Sequence, residues 1–589
     1  MKTMKKIFSL LSMLVLNDQL LAATDPLPSP STVTKKRAAI YIEPPMVTVP
    51  GGEFQMGGGK PYMGEAAQDP RALPIHKVQI ATFKLAKYEV TVAEFRRFVE
   101  ATGYKAPDKC IHQPNEGWFS QGPTPGSWDK NELTTSEFQP VVCIGSAGAD
   151  AYAKWLSQQT GKSYRLASES EWEYAASAGR GKPGFPFGED IDQKQICKYA
   201  NVSDQSAEHA AMARYGATYV GFMGGISPCD DGAGFASIVG MYKPNPLGIY
   251  DLIGNVAEYL QDCRSENYEG APTDGSARLN GDCKTRAVRG GAWHWRGNTA
   301  TQRSGMPIDW IGAIEGFRLA QSLISPADKR PAPTALAFEK ELKQAQAVER
   351  AHRKSLLPFP QPPQGLQLTE DKSAARLSWQ ASPDPKVLGY HVYRSDGVGG
   401  DFTRIASDLK APSYVDETSP ARKHSYVVVA VNRDRFSQLS APVFTADQVH
   451  ALPGRIQAED LNRMDKASVS KIAPQEDMED AGGQAGLNLS GAGGMAKDSW
   501  TEYSVDVQRA GNYQIAFRVA SKDGSKGLAL SVNDQPVLEQ AVPATGGFKV
   551  WQTVTAPSTI RLEAGRHVLR IRAIDVGGKL NWFSVELAD

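Results

Sequence analysis

The stretch LPFPQPPQG, Leu357 to Gly365, divides the 589-residue chain into two parts of different character. Its prolines fix φ and remove backbone donors, so it reads as a semi-rigid extended spacer and a firm domain boundary. Before it the sequence is dense in Gly and Trp, with short apolar runs and few amphipathic helices. After it the pattern changes to short alternating strands. The length suggests roughly three or four domains of about 100 to 200 residues each.

At the N-terminus, Lys2, Lys5 and Lys6 precede an apolar run from Ile7 to Leu16, and Leu21-Ala22-Ala23 offers a small-residue cleavage site. This resembles a secretory signal peptide over residues 1–23, followed by a Pro/Ser/Thr-rich leader over 24–39. The expectation is an exported protein, periplasmic or secreted. No later run is long and apolar enough for a transmembrane segment. Lys+Arg 65 against Asp+Glu 65 leaves no net field to gather nucleic acid, which is not expected as a partner.

All six cysteines, Cys110, Cys143, Cys197, Cys229, Cys263 and Cys283, fall in the first part. In an oxidising compartment such an even set reads as disulfides, and no CxxC or Cys/His spacing suggests a metal site. Sequence leaves many connectivities open, pairing of neighbours (110 with 143, 197 with 229, 263 with 283) among them. The turn-rich segment between Cys263 and Cys283 favours that pair, and closing such a loop is worth roughly 3 kcal/mol.

Two helices stand out before the spacer. TVAEFRRFVEATG sets Val92, Phe95, Phe98 and Val99 on one face behind the cap Thr91, and GADAYAKWLSQQTG repeats the pattern with Ala149, Tyr152, Trp155 and Leu156. SESEWEYAA begins with a serine cap and acidic residues favourable to the helix dipole. TALAFEKELKQAQAVERAHRK, with Phe338, Leu342, Ala345 and Val348 at helical spacing, reads as a connecting helix within a linker over 323–363. The insertion QSAEHAAMARYGATYVGFMGG, around 205–225, is longer than its connection needs, and long insertions in compact domains are often functional.

Taken in order, VPGGEFQMGG, KYEVTVAEFRRFV, QPVVCIGSAGADAYAKWL, YRLASESEWEYAASAG, FPFGED, YANV, PNPLGIYDLIGNVAEYLQDC, VRGGAW and GFRLA make residues 40–322 resemble the formylglycine-generating enzyme, or sulfatase-modifying factor, family. The resemblance implies an α+β, C-type-lectin-like fold with little regular structure. It also implies an active centre in RAVRGGAWHWRGNTATQRSG, Arg286 to Gly305, where two cysteines bind copper(I) in the enzyme. Here those positions hold Trp295 and Ala300, neither of which is a soft ligand, so no copper and no formylglycine-generating oxidase activity are expected. What remains is a candidate cleft of aromatic surface, Trp293, His294 and Trp295. The family's calcium, held by hard oxygens, maps onto Asn201, Val202, Asp231 and Ala233, and onto Asn255, Val256 and Glu258 in GNVAEY.

Residues 364–447 (ARLSWQAS, GYHVYRSD, FTRIASD, SYVDET, HSYVVVAVN) resemble a fibronectin type III β-sandwich, with Trp379 as core tryptophan and Tyr426 at the tyrosine corner. Residues 452–589 resemble a family 6 carbohydrate-binding module, a jelly-roll sandwich, through IQAED, WTEYSVDVQRAGNYQIAFRVAS, TGGFKVWQTV, LEAGRHVLRIRA and LNWFSVEL. The whole is thus expected to be multidomain, an α+β domain followed by two all-β sandwiches. Aromatic rings stack on sugar faces while amides bond hydroxyls. By the resemblance Phe548 is one wall and Asn581 the amide, with Trp551 and Tyr503 beside them; Tyr503, Trp551, Trp500 and Trp582 also suit a core. The segment GQAGLNLSGAGG, expected to give a second wall, holds no aromatic.

Two functions are compatible with this sequence. One is an exported binding or scaffold protein whose partner is a polysaccharide or glycan, the first domain having lost its chemistry. The other is a periplasmic or secreted oxidative maturation enzyme acting on an exported protein or small molecule without the copper cysteines.

Overall fold

The computed structural model describes residues 41–588 apart from 60–68, 112–122, 180–193, 220–224, 281–282, 297–298, 324–331, 371–373, 397–401, 418–422, 576–577 and most of 466–494. The signal peptide and leader expected over 1–39 lie outside the described residues. Among the described residues no helix is long and apolar enough to cross a membrane.

The first domain is closed by its two ends. The early strands Met46–Val49 and Phe83–Ala86 share an antiparallel sheet with the last strand, Leu319–Ser322, and with Tyr164–Leu166. A second sheet orders Ser304–Pro307, Thr285–Arg289, Ala257–Cys263 and Glu315–Gly316, which puts the RGG strand at its middle.

Helix α1 (Val92–Thr102) starts at a capping box in which Thr91 and Glu94 satisfy each other's main-chain N–H groups, and it buries Val92, Phe95 and Phe98. Helix α2 (Gly145–Thr160) packs Ala149, Tyr152, Trp155 and Leu156 into the same aromatic core. Helix α3 (Glu169–Ala176) uses Ser168 and Glu171 as its capping box. The insertion forms helix α4 (Gln205–Tyr215), capped by Asp204, whose carboxylate accepts from Ala207 N at 3.0 Å. Neighbouring cysteines pair throughout: Cys110–Cys143, Cys197–Cys229 and Cys263–Cys283.

Helix α5 (Pro333–Ser355) is more than a connector. Phe338 and Leu342 pack with Tyr88 and Val239 of the first domain, and Gln346 Nε2 donates to Val239 O at 2.7 Å. Gln346 thus takes the inward position that helical spacing assigned to Val348, which is exposed. One turn carries the helix from Leu342 to Gln346, so Val348 points away.

The middle region is a sandwich of a three-stranded sheet (Gln367–Glu370, Ala375–Ser378, Ser413–Asp416) and a four-stranded one (Thr403–Leu409, Gly389–Asp396, His424–Val431, Val443–Phe444). Trp379, Tyr390 and Tyr426 fill its centre, and the Tyr426 hydroxyl donates to Asp416 at 2.9 Å. The proline spacer is pinned to it: Leu357 N donates to Asp434 and Asn432 Nδ2 to Pro358 O, each at 2.9 Å.

The C-terminal region packs a six-stranded sheet, centred on Trp500–Val507 and Gly565–Ala573, against a seven-stranded one centred on Gly511–Ala520 and Lys579–Leu587. Their inner faces alternate apolar residues such as Tyr503, Val505, Ile515, Phe517, Ile571 and Phe583. Val449–Leu452 already pairs with Trp500–Val507, ahead of the boundary expected at 452. Only a short tie separates it from Phe444. That tie is held by Ala446 N to Glu370, by Gln448 N to Asn462 (both 2.9 Å) and by Lys423 to Asp447.

Candidate functional site

The arginine of RGG is a rivet for the fold. Arg289 has no exposed side-chain surface; it pairs with Glu173, donates to Gln302 O at 2.8 Å and lies 5.3 Å from the Trp172 ring. Arg303 completes the network through a bidentate pair with Glu169 at 2.7 and 2.8 Å. Burial would raise the Glu169 pKa, but Arg303 and Arg289 outweigh it and hold the carboxyl below its ordinary value. The following glycine is forced: Gly290 sits at φ 91°, and a Cβ there would stand 2.9 Å from Leu252 O.

The residues after RGG do not form the open aromatic cleft expected at Trp293, His294 and Trp295. Trp293 and His294 are fully buried and Trp295 is half-buried. The segments on either side of the insertion cover these residues, with the end of α4 behind them. Phe235 stacks edge-on against Trp293 at 5.2 Å, and Tyr215 and Arg214 at the end of α4 lie over Phe235 at 6.4 and 5.9 Å. Ser203 N donates to Trp295 O at 3.1 Å, and Ser203 Oγ to Gly225 O at 2.8 Å. On its other side α4 meets the middle sandwich. Met212 packs with Tyr393, Phe402, Val427 and Val429; Arg404 N donates to Gly216 O at 3.0 Å; and Arg435 pairs with Asp230 at 3.1 Å. The aromatic segment therefore sits at the bottom of an interdomain joint, a role that an alignment of strand motifs could not disclose.

Neither residue that the resemblance sets at the copper positions, Trp295 or Ala300, has a soft ligand atom. Ala300 lies in the apolar core with Trp172, Ala200, Val202 and Leu252. None of the six cysteines is free.

The calcium assignments divide. Glu258 and Asn255 are occupied by other partners, which corrects the second set. Arg318 binds both Glu258 oxygens at 2.6 to 2.8 Å, and Trp172 Nε1 adds a bond at 2.8 Å. The positive charge facing Glu258 is therefore a guanidinium. Asn255 Oδ1 accepts from Ser237 N (2.7 Å) and Asn201 Nδ2 (3.1 Å), and Val256 is packed in an apolar cluster.

In the first set, Asp231 accepts from Val202 N at 2.9 Å and Ala233 N at 2.8 Å, and burial pushes its carboxyl up to about 7. Asn201 Oδ1 is buried with no hydrogen-bond partner, an open hard-oxygen donor of the kind calcium takes. Asp204 and Cys197 approach Asp231 with ligand atoms within 4.8 Å of one another, but Cys197 is bonded to Cys229 and offers no thiolate.

In the C-terminal region Phe548 and Trp551 are half-buried on a loop that Thr545 pins by accepting from Ser521 N at 3.0 Å, with Lys579 Nζ 6.0 Å from the Phe548 ring. Asn581 and Tyr503 are corrected as surface contacts. Asn581 is fully buried and donates to Asp477 at 2.8 Å, while Tyr503 donates to Ala458 O at 2.6 Å with its ring on Phe583. Asn581 serves a buried triad in which Arg518 grips Asp477 at 2.6 to 3.2 Å. The signal for that triad was an arginine in the middle of the apolar strand IAFRVAS. Trp582 is buried under Arg455 (3.9 Å), and Trp500 is half-buried under Arg570 (4.9 Å). Most of GQAGLNLSGAGG lies outside the described residues.

Comparison with known proteins places these features. Residues 31–323 match the Sulfatase-modifying factor enzyme 1-like domain and residues 457–586 the family 6 carbohydrate binding module. A formylglycine-generating enzyme of Thermomonospora curvata is 27% identical over 258 residues, 40% of this chain and 76% of that protein. Among solved structures, PvdO from Pseudomonas aeruginosa is 33% identical over 48% of this chain and 95% of that one, with TM-score 0.38. A carbohydrate binding module of Cellvibrio mixtus lichenase 5A, in complex with cellotriose, is 29% identical over 23% of this chain and 98% of that one, with TM-score 0.20. The chain thus carries a sulfatase-modifying-factor-type domain and a family 6 carbohydrate binding module.

Proposed function

We propose that the protein is an exported, carbohydrate-associated binding protein in which the first domain acts as a scaffold rather than as a copper oxidase. The observation that carries this reading is chemical. Trp295 and Ala300 stand where thiolates would be required, and every cysteine is committed to a disulfide. The three disulfides also support export to an oxidising compartment.

On this reading the first domain has the C-type-lectin-like fold of its family, the middle sandwich is a fibronectin type III spacer and the last is a jelly roll. Phe548, with Trp551 beside it, is the ring offered to a sugar face. Calcium, where bound, is held by Asn201, Asp231 and the carbonyls of Val202 and Ala233, and it would brace the loop that leads into α4.

The test is retention of the full-length chain on a panel of insoluble and soluble polysaccharides. At least one neutral glycan should retain it, and Phe548→Ala should weaken that retention about tenfold, the equivalent of roughly 1.4 kcal/mol. Retention by no glycan, or oxygen consumption with a cysteine-containing peptide, would overturn the reading.

A further inference from the structure

Where α5 crosses the first domain, the two border a shallow, open cleft of about 400 Å³ whose walls include Lys198, Tyr242, Lys243, Arg350 and Arg353. The charges in it are unequally committed. Arg353 is fully engaged in architecture: it donates to Glu349 (2.6 Å), Asp231 O (2.9 Å), the Tyr242 hydroxyl (3.4 Å) and Ser237 Oγ (2.9 Å). Glu349 is consumed by the same contact. Asp231 is the one carboxylate among its lining residues, and it already accepts from the Val202 and Ala233 N–H groups and from Tyr242.

Three basic arms are left. Lys198 reaches only the neutral Gln195 side chain at 2.7 Å, Lys243 lies 5.5 Å from the Tyr199 ring, and Arg350 is exposed; none makes an ion pair among the described residues. Lys198 and Lys243 are held side by side by a main-chain bond from Lys243 N to Lys198 O at 3.0 Å. In a chain of zero net charge this is a local, unneutralised positive site.

We propose that this cleft binds the anionic substituent of an acidic polysaccharide, a sulfate or a carboxylate, as a second glycan contact beside the C-terminal module. The proposal rests on the reading of the protein as glycan-binding. The cleft has room for about one substituted sugar ring. The one aromatic ring among its lining residues, Tyr242, is tied through its hydroxyl to Asp231 and Arg353, so the cleft offers no stacking ladder for bases, and the neutral chain lacks the extended field that nucleic acid binding requires.

The experiment compares the full-length protein on dextran sulfate, polygalacturonate and unsubstituted dextran at low ionic strength. The wild type should bind one or both charged polymers and not dextran, with affinity falling steeply as salt rises. The charged polymer that binds identifies the substituent as sulfate or carboxylate. Lys243→Ala/Arg350→Ala should lose about tenfold in that affinity while keeping its thermal midpoint. Lys340→Ala/Lys343→Ala, which removes the same charge from the outer face of α5, should lose little.

Phe548→Ala should leave acidic binding in place while weakening retention on the neutral glycan, which separates this proposal from the preceding one. Equal loss in the two double variants, no loss in the cleft variant, no binding to either acidic polymer, or equal competition by a single-stranded oligonucleotide would each overturn it.

Discussion

The first domain and the C-terminal module solve the same stability problem with different materials. The module places long paired strands around an apolar centre and keeps most of its ion pairs at the surface, as with Arg561–Glu563 and Arg572–Asp498. The first domain has short strands and long loops, and it buries full charges, Arg289 with Glu173, Arg303 with Glu169 and Arg318 with Glu258. A fold with few ladders must fix its loops by specific partners, and a buried charge tolerates only the partner it was built with. Such a domain is harder to change locally than a sandwich.

Deleting one partner of a buried pair gives the sharpest contrast. Arg318→Ala leaves Glu258 charged and unpaired in the interior and should cost about 3 to 5 kcal/mol. Arg572→Ala at the module surface, which loses the exposed pair with Asp498, should cost no more than about 1 kcal/mol in the same denaturant titration. Comparable losses would erase the distinction.

Cross-links come next. Cys263→Ser/Cys283→Ser should lower the stability of the first domain by about 3 kcal/mol and leave the module's unfolding transition unmoved, as separated by domain-resolved hydrogen exchange. At the joint, Met212→Ala should cost about 2 kcal/mol, and it should loosen the middle sandwich from the first domain, seen as earlier proteolysis at 357–365.

A separate effect is electrostatic and shows only as a dependence on pH. Burial pushes the Glu315 carboxyl up to about 8, against partial opposition from the Trp310 indole and nearby main-chain N–H groups. The folded state therefore keeps a proton that the unfolded chain releases near pH 4.5, and stability is full below that pH and lost as pH rises toward 8. Glu315→Gln should flatten this decline by up to one proton, about 1.4 kcal/mol per pH unit, in urea midpoints measured from pH 5 to 8. An unchanged slope would show that Glu315 is already ionised in the folded protein.

Local features were legible in the sequence because local chemistry determines them. Thr91 and Ser168 announce their helices by spacing to Glu94 and Glu171, and the apolar faces of α1 and α2 repeat at the helical period. The turn-rich loop likewise betrayed Cys263–Cys283. The burial of Trp293 was not legible, since the ring against it is Phe235, from a loop far earlier in the chain, with the end of α4 behind that ring. Glu258 read as a metal ligand because nothing near it in sequence reveals Arg318, in the short connection between Glu315–Gly316 and Leu319–Ser322. Asn581 read as an exposed amide because the strand pattern does not show that Asp477 and Arg518 close over it. Periodicity tells which residues share a face and is silent about what later covers that face.

The short tie between Phe444 and Val449 has a consequence for avidity. With Asp447 gripped from the middle sandwich by Lys423, and Gln448 gripped from the module by Asn462, the module is presented at a set reach rather than on a wandering leash. On the proposed glycan-binding reading, once one site holds a polymer the local concentration of that polymer at any other site would be set by geometry, and glycans whose repeat spans that reach would be selected over those that do not.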